Sequence, residues 1–263
     1  MERAKKTFPL FLLVLLTLGP ASGLGQEERS GALTYGAEFD FNSRYIWRSF
    51  AWSEGAVWQP TAWLSRSGLT FSVWGNFVLN REPNYRRFNE VDFRLSYKKE
   101  WGAFTVEPAF NIYSYPNQDK AENPMTGELE LQITYDLGLG GLSLETAHFL
   151  DLWENKGGYV GEVGIQLEQE AGANLILNAA ARLTFANAKF NFYYVPLDKG
   201  AVSAFILELG LTYTFSAPFY IRPHFEWNSL LDGDLKAAVA SSSWVSSGKS
   251  SLLNFGVTVG VEY

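Results

Sequence analysis

Residues 33–47 read Leu33-Thr34-Tyr35-Gly36-Ala37-Glu38-Phe39-Asp40-Phe41-Asn42-Ser43-Arg44-Tyr45-Ile46-Trp47. Leu33, Tyr35, Ala37, Phe39, Phe41, Tyr45 and Trp47 share one parity, and Glu38, Asp40, Asn42 and Arg44 share the other. Successive side chains of a strand point to opposite faces, so this stretch has one apolar and one charged surface.

The pattern recurs along the chain. Val91, Phe93, Leu95 and Tyr97 oppose Glu90, Asp92, Arg94 and Ser96 in 89–98, and Leu129, Leu131, Ile133 and Tyr135 oppose Glu130, Gln132, Thr134 and Asp136 in 128–137. Leu175, Leu177, Ala179, Ala181, Leu183 and Phe185 oppose Asn178, Arg182 and Thr184 in 174–185. Phe219, Ile221, Pro223, Phe225 and Trp227 oppose Arg222, His224, Glu226 and Asn228 in 219–228. With further strands near 58–66, 69–79, 103–115, 142–152, 159–168, 202–215 and 252–263, the pattern predicts twelve.

The connections alternate in length. The odd ones, 48–57, 80–87, 116–127, 153–158, 186–201 and 231–251, are the longer set. The even ones, Ser67-Gly68, 99–102, 138–141, 169–173 and 216–218, are short. A soluble β-sandwich shows period two as well. Long loops at one end and short turns at the other, with large apolar residues outward and charge inward, point instead to a membrane barrel. The expected fold is all-β: a closed antiparallel up-and-down meander with short periplasmic turns and longer extracellular loops. Strand 33–47 should lie beside strand 252–263, because an open edge in hydrocarbon leaves backbone groups unsatisfied.

The chain begins with basic Arg3, Lys5 and Lys6, an apolar run from Phe8 to Leu18, and the small residues Ala21-Ser22-Gly23. This is the form of a secretory signal peptide, too short to span a bilayer as a helix. The expected organisation is a signal peptide at 1–23, a short segment at 24–32 and a barrel at 33–263, in the outer membrane of a Gram-negative-type cell. The absence of cysteine excludes disulfides and thiolate metal sites. The net charge of −7 becomes more negative once the basic leader is removed, which argues against nucleic acid as a partner.

The last strand supplies an independent sign. Phe255, Val257, Val259, Val261 and the terminal Tyr263 alternate with Asn254, Gly256, Thr258 and Gly260. This resembles the C-terminal signal read by the barrel assembly machinery, an expected partner during insertion. Aromatics also gather at two levels, as the two bilayer interfaces favour. Trp47, Trp52, Trp58, Tyr113, Tyr115, Trp153, Tyr159 and Trp227 lie toward the long loops. Tyr97, Trp101, Tyr135, Tyr213, Phe215, Phe219 and Tyr263 lie toward the turns.

Ser43-Arg44-Tyr45-Ile46-Trp47-Arg48, then Gln59-Pro60 and Trp74-Gly75-Asn76, resemble an uncharacterised outer-membrane porin family related to the TorF type. In that family a Ser-x-Tyr-x-x-Arg stretch ends the first strand and is usually followed by Gly; Ser49 stands there in this chain. The resemblance spans about 35–115. It implies a porin barrel and supplies neither a catalytic residue nor a substrate.

Alternation places Glu38, Asp40, Arg44, Glu90, Asp92, Arg94, Glu107, Glu128, Glu130, Arg182, Glu208, Arg222 and Glu226 on the inner face as pore-lining candidates. Acids outnumber bases there, which predicts a wet, cation-leaning lumen. The expected function is a porin-like channel for small hydrophilic solutes. A closed barrel acting through its loops is the alternative, and a lipid-modifying barrel enzyme a third reading.

No enzyme is expected. His148 has outward parity, where it meets lipid unless a bulge turns it inward, and no serine lies two residues after it; His224 points inward between Arg222 and Glu226, and neither belongs to a nucleophile–base–orienter set. Asp232-Gly233-Asp234 reads as a turn rather than a calcium loop, and Ser241–Ser251 as a mobile serine-rich tip. No cofactor or metal site is expected.

Overall fold

The computed structural model describes residues 31–79, 88–116, 125–243 and 245–263. The predicted signal peptide, the loop 80–87 and most of the loop 116–127 lie outside them. The chain runs β1 (Leu33–Asn42), β2 (Tyr45–Trp47), β3 (Phe50–Ser53), β4 (Val57–Arg66), β5 (Leu69–Val78), β6 (Phe88–Tyr97) and β7 (Lys99–Trp101). It continues with β8 (Phe104–Ser114), β9 (Met125–Leu139), β10 (Leu142–Asp151), β11 (Tyr159–Gly172) and β12 (Leu175–Ala186). Then come α1 (Ala188–Tyr194), β13 (Ala201–Ser216), β14 (Phe219–Leu230), α2 (Gly233–Ser241) and β15 (Ser251–Glu262).

Neighbouring wall strands pair antiparallel all the way round. β6 and β7 are two parts of one strand broken at Lys98, and both pair with β8. The barrel closes between β1 and β15, from Gly36 opposite Glu262 to Asn42 opposite Gly256, which gives twelve strands in the wall. Tyr35 and Tyr263 exchange backbone hydrogen bonds of 3.0 and 2.8 Å across this seam, and their rings stack.

At one end the first turn is as the sequence suggests, and the strands beside the other four run further, so those turns are shorter. The connections there are Ser67-Gly68, Gly102-Ala103, Gly140-Gly141, Ala173-Asn174 and Ala217-Pro218. Ser67 (φ 53°) and Gly68 (φ 82°) both have positive φ, the two-residue turn whose twist matches the strands it joins.

The first strand departs from expectation. It ends at Asn42, not Trp47. Ser43 makes a last wall contact, its N–H donating to Phe255 O at 2.8 Å, and the chain then leaves the wall. β2 and β3 pair only with each other, joined by Arg48 (φ 49°) and Ser49 (φ 73°). The hairpin folds into the long-loop mouth, so Tyr45 and Trp47 are not on the lipid side. Period two is blind to this, because a hairpin inside the barrel alternates just as a wall strand does.

The girdle changes accordingly. Trp47, Trp52, Tyr113 and Tyr115 belong to the interior of the mouth. Trp58, stacked against Phe39 and Phe41 and tilted against Phe77, stays outside with Trp153, Tyr159 and Trp227. At the turn end, Tyr97, Trp101, Tyr135, Tyr213, Phe215, Phe219 and Tyr263 are all exposed.

Candidate functional site: the plugged mouth and the polar chamber

Three loops meet in the mouth. Phe50 of the hairpin, Phe190 and Tyr194 of α1, Leu235 and Val239 of α2, and Val245 bury against one another and against Val160, Ala204 and Leu230 of the wall. Trp47 lies edge-on to Tyr113 of β8 at 5.9 Å and to Tyr194 at 5.4 Å. On the other side, Tyr45 packs on Val57, Val78 and Trp74 of β4 and β5. An apolar core of this kind is unexpected inside a barrel, and it seats the loop 231–250 in the mouth.

Two loop readings change with it. Asp232 is the N-cap of α2, accepting from the N–H groups of Asp234 and Leu235 at 2.9 Å, rather than part of a plain turn. Lys199 bridges Asp232 and Asp234 at 3.0 and 2.7 Å. The serine-rich stretch contacts the hairpin at Ser246, which donates its N–H and its hydroxyl to Ala51 O, both at 2.8 Å.

Arg48 anchors the hairpin tip. Its guanidinium makes a bidentate pair with Glu128 of the opposite wall, and Tyr113 Oη donates to the same carboxylate at 3.0 Å. The rings of Trp47 and Phe149 lie 4.6 and 4.3 Å from the cation. Arg48 thus reaches the interior from the tip of a loop, not from a wall strand. Beside it, Tyr45 and Tyr115 hydrogen-bond Glu90. Asp92 faces the same side and buries an Oδ1 with no hydrogen-bond partner.

Below the plug, the charged candidates gather into three clusters. Arg94 donates to Glu130 at 2.9 and 3.0 Å and to Glu107 at 2.8 Å. Arg182 pairs with Glu145, and with Glu208 at 2.6 Å. Arg222 donates to Glu38 at 3.0 Å, and Tyr220 donates to the same carboxylate. Asp40 accepts from Thr258 Oγ1 at 3.0 Å and Asn42 at 2.7 Å, and Glu226 accepts from Asn228 at 3.3 Å. Arg44 has left the strand and lines the chamber, its Nε buried without a hydrogen-bond partner.

Sequence reasoning missed an amide ladder. Asn254 donates to Asn42 at 2.8 Å, Asn42 to Gln59 at 2.9 Å, Gln59 to Asn76 at 3.0 Å and Asn76 to Asn89 at 2.8 Å. The run crosses β15, β1, β4, β5 and β6. Each donation leaves the next amide polarised to donate in turn, which rigidifies the wall under the plug. The available signal was an amide near the long-loop end of each of five strands.

Between these groups lies a chamber of about 420 Å³, lined among others by Arg44, Arg182, Arg222, His224, Asp40, Glu208, Glu226 and Trp74. A second space of about 250 Å³ lies under the hairpin tip and shares Arg182, Glu208 and Glu226 with the first. His224 contacts Asn42 Oδ1 at 2.9 Å. His148 keeps its outward parity without a bulge: Asp151 faces inward, accepting from Thr126 Oγ1 at 2.7 Å. Phe255, Val257, Val259 and Tyr263 are exposed on the outer face, and Val261 shares their parity.

No protein-family model matches the chain, and no curated protein matches its sequence. Among solved structures, the KdgM porin aligns with a TM-score of 0.50 at 12% identity, over 87% of this chain and 98% of that one. The NanC porin gives 0.47 at 13% identity over 88% and 99%, and an outer membrane channel from Pseudomonas putida F1 gives 0.47 at 9% over 94% and 100%. The likeness to the KdgM porin concerns the fold: the chain has the barrel architecture of outer-membrane porins.

Proposed function

We propose that the protein is a porin-like channel of the outer membrane for small hydrophilic solutes, with its outer mouth closed by the loop plug. The chamber carries this reading. About 420 Å³ of space walled by ion pairs and amides calls for water, because ionised groups buried at this density need solvent or partners. Twelve strands also exceed the eight whose lumen side chains fill completely. The signal-like N-terminus and the C-terminal strand Phe255–Tyr263 fit secretion followed by insertion through the barrel assembly machinery, and the Ser43–Arg48 stretch fits a TorF-type porin.

The expected preference is for cations, and modest. The chamber sets Asp40, Glu168, Glu208 and Glu226 against Arg44, Arg182 and Arg222, so its own balance is far closer than that of the whole inner face. Catalysis is not part of the proposal. The deciding experiment is conductance in planar bilayers of the full chain and of a variant with 45–53 replaced by a short Gly-Ser link. Small unitary currents that rise in the variant support the channel. Silence of both refutes it and favours the second reading, a closed barrel acting through its loops, for which the apolar core across the mouth is the supporting observation.

A further inference from the structure

The outward face of the strands is apolar almost throughout, and His148 breaks it. Among the described residues it is the one imidazole, carboxylate or basic side chain on the lipid-facing strand surface away from the turn end. Ionisable groups at such positions are costly and call for a function. His148 stacks on Tyr159, and its Nδ1 lies 2.7 Å from Tyr159 Oη. Its Nε2 lies 3.1 Å from Thr146 Oγ1, and that hydroxyl donates to Glu162 O at 2.7 Å.

The protons follow from these contacts. The Thr146 proton is committed to Glu162 O, so Nε2–H of a neutral imidazole donates to Thr146 and Tyr159 O–H donates to Nδ1. The chain ends in the phenolic oxygen of Tyr159. The lone pairs of that oxygen can accept a hydrogen bond from a sugar hydroxyl. The same arrangement argues against a hydrolase: the hydroxyl beside the imidazole already spends its proton on a carbonyl.

A second observation lies directly above. The loop between β10 and β11 carries Lys156, and α1 carries Lys189; both are exposed. The Lys189 ammonium lies about 3.6 Å from where a Cβ on Gly157 would stand, beside Lys156 in the chain. Asn187 fixes this proximity, donating Nδ2–H to Gly157 O at 2.9 Å and accepting from Tyr159 N–H at 3.1 Å. Neither lysine has a carboxylate partner among the described residues. The Lys189 ammonium is thus held close to the backbone that carries Lys156, at the rim over a polar cluster at the depth of the aromatic girdle.

We propose that Lys156, Lys189, Tyr159 and His148 form a binding site for the phosphorylated headgroup of an outer-leaflet glycolipid. The ammonium groups would meet phosphate at the rim, while the phenol and imidazole meet the sugar or ester level below. A lipid fits better than a soluble anion because His148 and Tyr159 lie on the surface that acyl chains cover. The inference rests on the outer-membrane reading of the barrel but not on conduction, so silent bilayers leave it standing.

The test is native mass spectrometry of the purified barrel with lipid A, a bis-phosphorylated acylated disaccharide, against phosphatidylcholine. Selective retention of lipid A is expected. Lys156→Ala with Lys189→Ala should weaken it by roughly tenfold, and Tyr159→Phe by about fivefold. The control pair Lys236→Ala with Lys249→Ala, an equal change of charge elsewhere on the loops, should leave it unchanged. Equal losses from both lysine pairs, equal retention of phosphatidylcholine, or no effect of Tyr159→Phe would overturn the site. Displacement of lipid A by inorganic phosphate would overturn the lipid assignment in favour of a soluble anion.

Discussion

In the outer half of the barrel, Phe50, Phe190, Leu235 and Val239 pack together within the mouth, and Arg48 lies against aromatic rings. In the inner half, Arg94, Arg182 and Arg222 hold carboxylates of the wall around an open chamber. The two regions use the same ion-pair chemistry to different ends. Glu128 is almost fully buried, whereas the Glu208 side chain that pairs with Arg182 is 43% exposed. Breaking the first pair strands a charge away from water; breaking the second leaves it solvated.

The contrast is broken most directly at Arg48. Arg48→Met should destabilise the plug by about 3–5 kcal/mol, because Glu128 is left uncompensated, and adding Glu128→Gln should recover much of that loss. Hydrogen exchange of the 45–53 amides and unitary conductance read both variants; unchanged exchange in Arg48→Met would show that the tip is not anchored by this pair. Next in size, Phe190→Ala removes a ring at the centre of the mouth core and should cost about 3 kcal/mol, loosening α1 and α2 together. The barrel itself should stay heat-modifiable on gels, since its wall strands pair without the plug.

A smaller effect is expected at Asp232→Ala, about 1 kcal/mol from the lost cap, read as faster exchange in 233–241. The N–H of Leu235, then Lys199, hold the Asp232 carboxyl below the ordinary carboxylate range. That stabilisation is complete above the ordinary value and is lost as pH falls through the depressed one, so α2 should loosen in acid in the native chain and not in the variant. In the inner half, Arg182→Gln should cost less than Arg48→Met, because solvent screens the half-exposed Glu208, although Glu145 is left largely buried. Its main signature is a reversal potential shifted toward cations; a shift toward anions would place permeation outside this chamber. The smallest change is Ser49→Gly, expected to stabilise the hairpin by about 0.5 kcal/mol, since Ser49 holds φ 73° and buries an unpartnered Oγ. A destabilised hairpin would mean that the hydroxyl has a partner in the folded protein.

Much of this comparison was not legible in the chain. Tyr45 and Trp47 continue the parity of β1 without a break, but the chain leaves the wall after Ser43, and the two left-handed residues at Arg48 and Ser49 turn it back as a hairpin in the mouth. The amide ladder hid for another reason. Asn and Gln read as ordinary inward polar residues until the registers of five strands bring them to one height.

Alternation along each strand and the long–short rhythm of the connections determined a closed twelve-stranded barrel and the face each wall residue takes. These are local properties, set by the two-residue repeat of a strand and by the need to satisfy every backbone group in a membrane. Tertiary structure decided which charges meet. Fifteen strand segments can hold many arginines and carboxylates at one parity, but only register and barrel closure place Arg94 against Glu130 and Arg222 against Glu38. It also decided that three loops pack into the mouth, because burying Phe190 against Phe50 and Leu235 joins segments far apart in sequence, and no local pattern encodes such a contact.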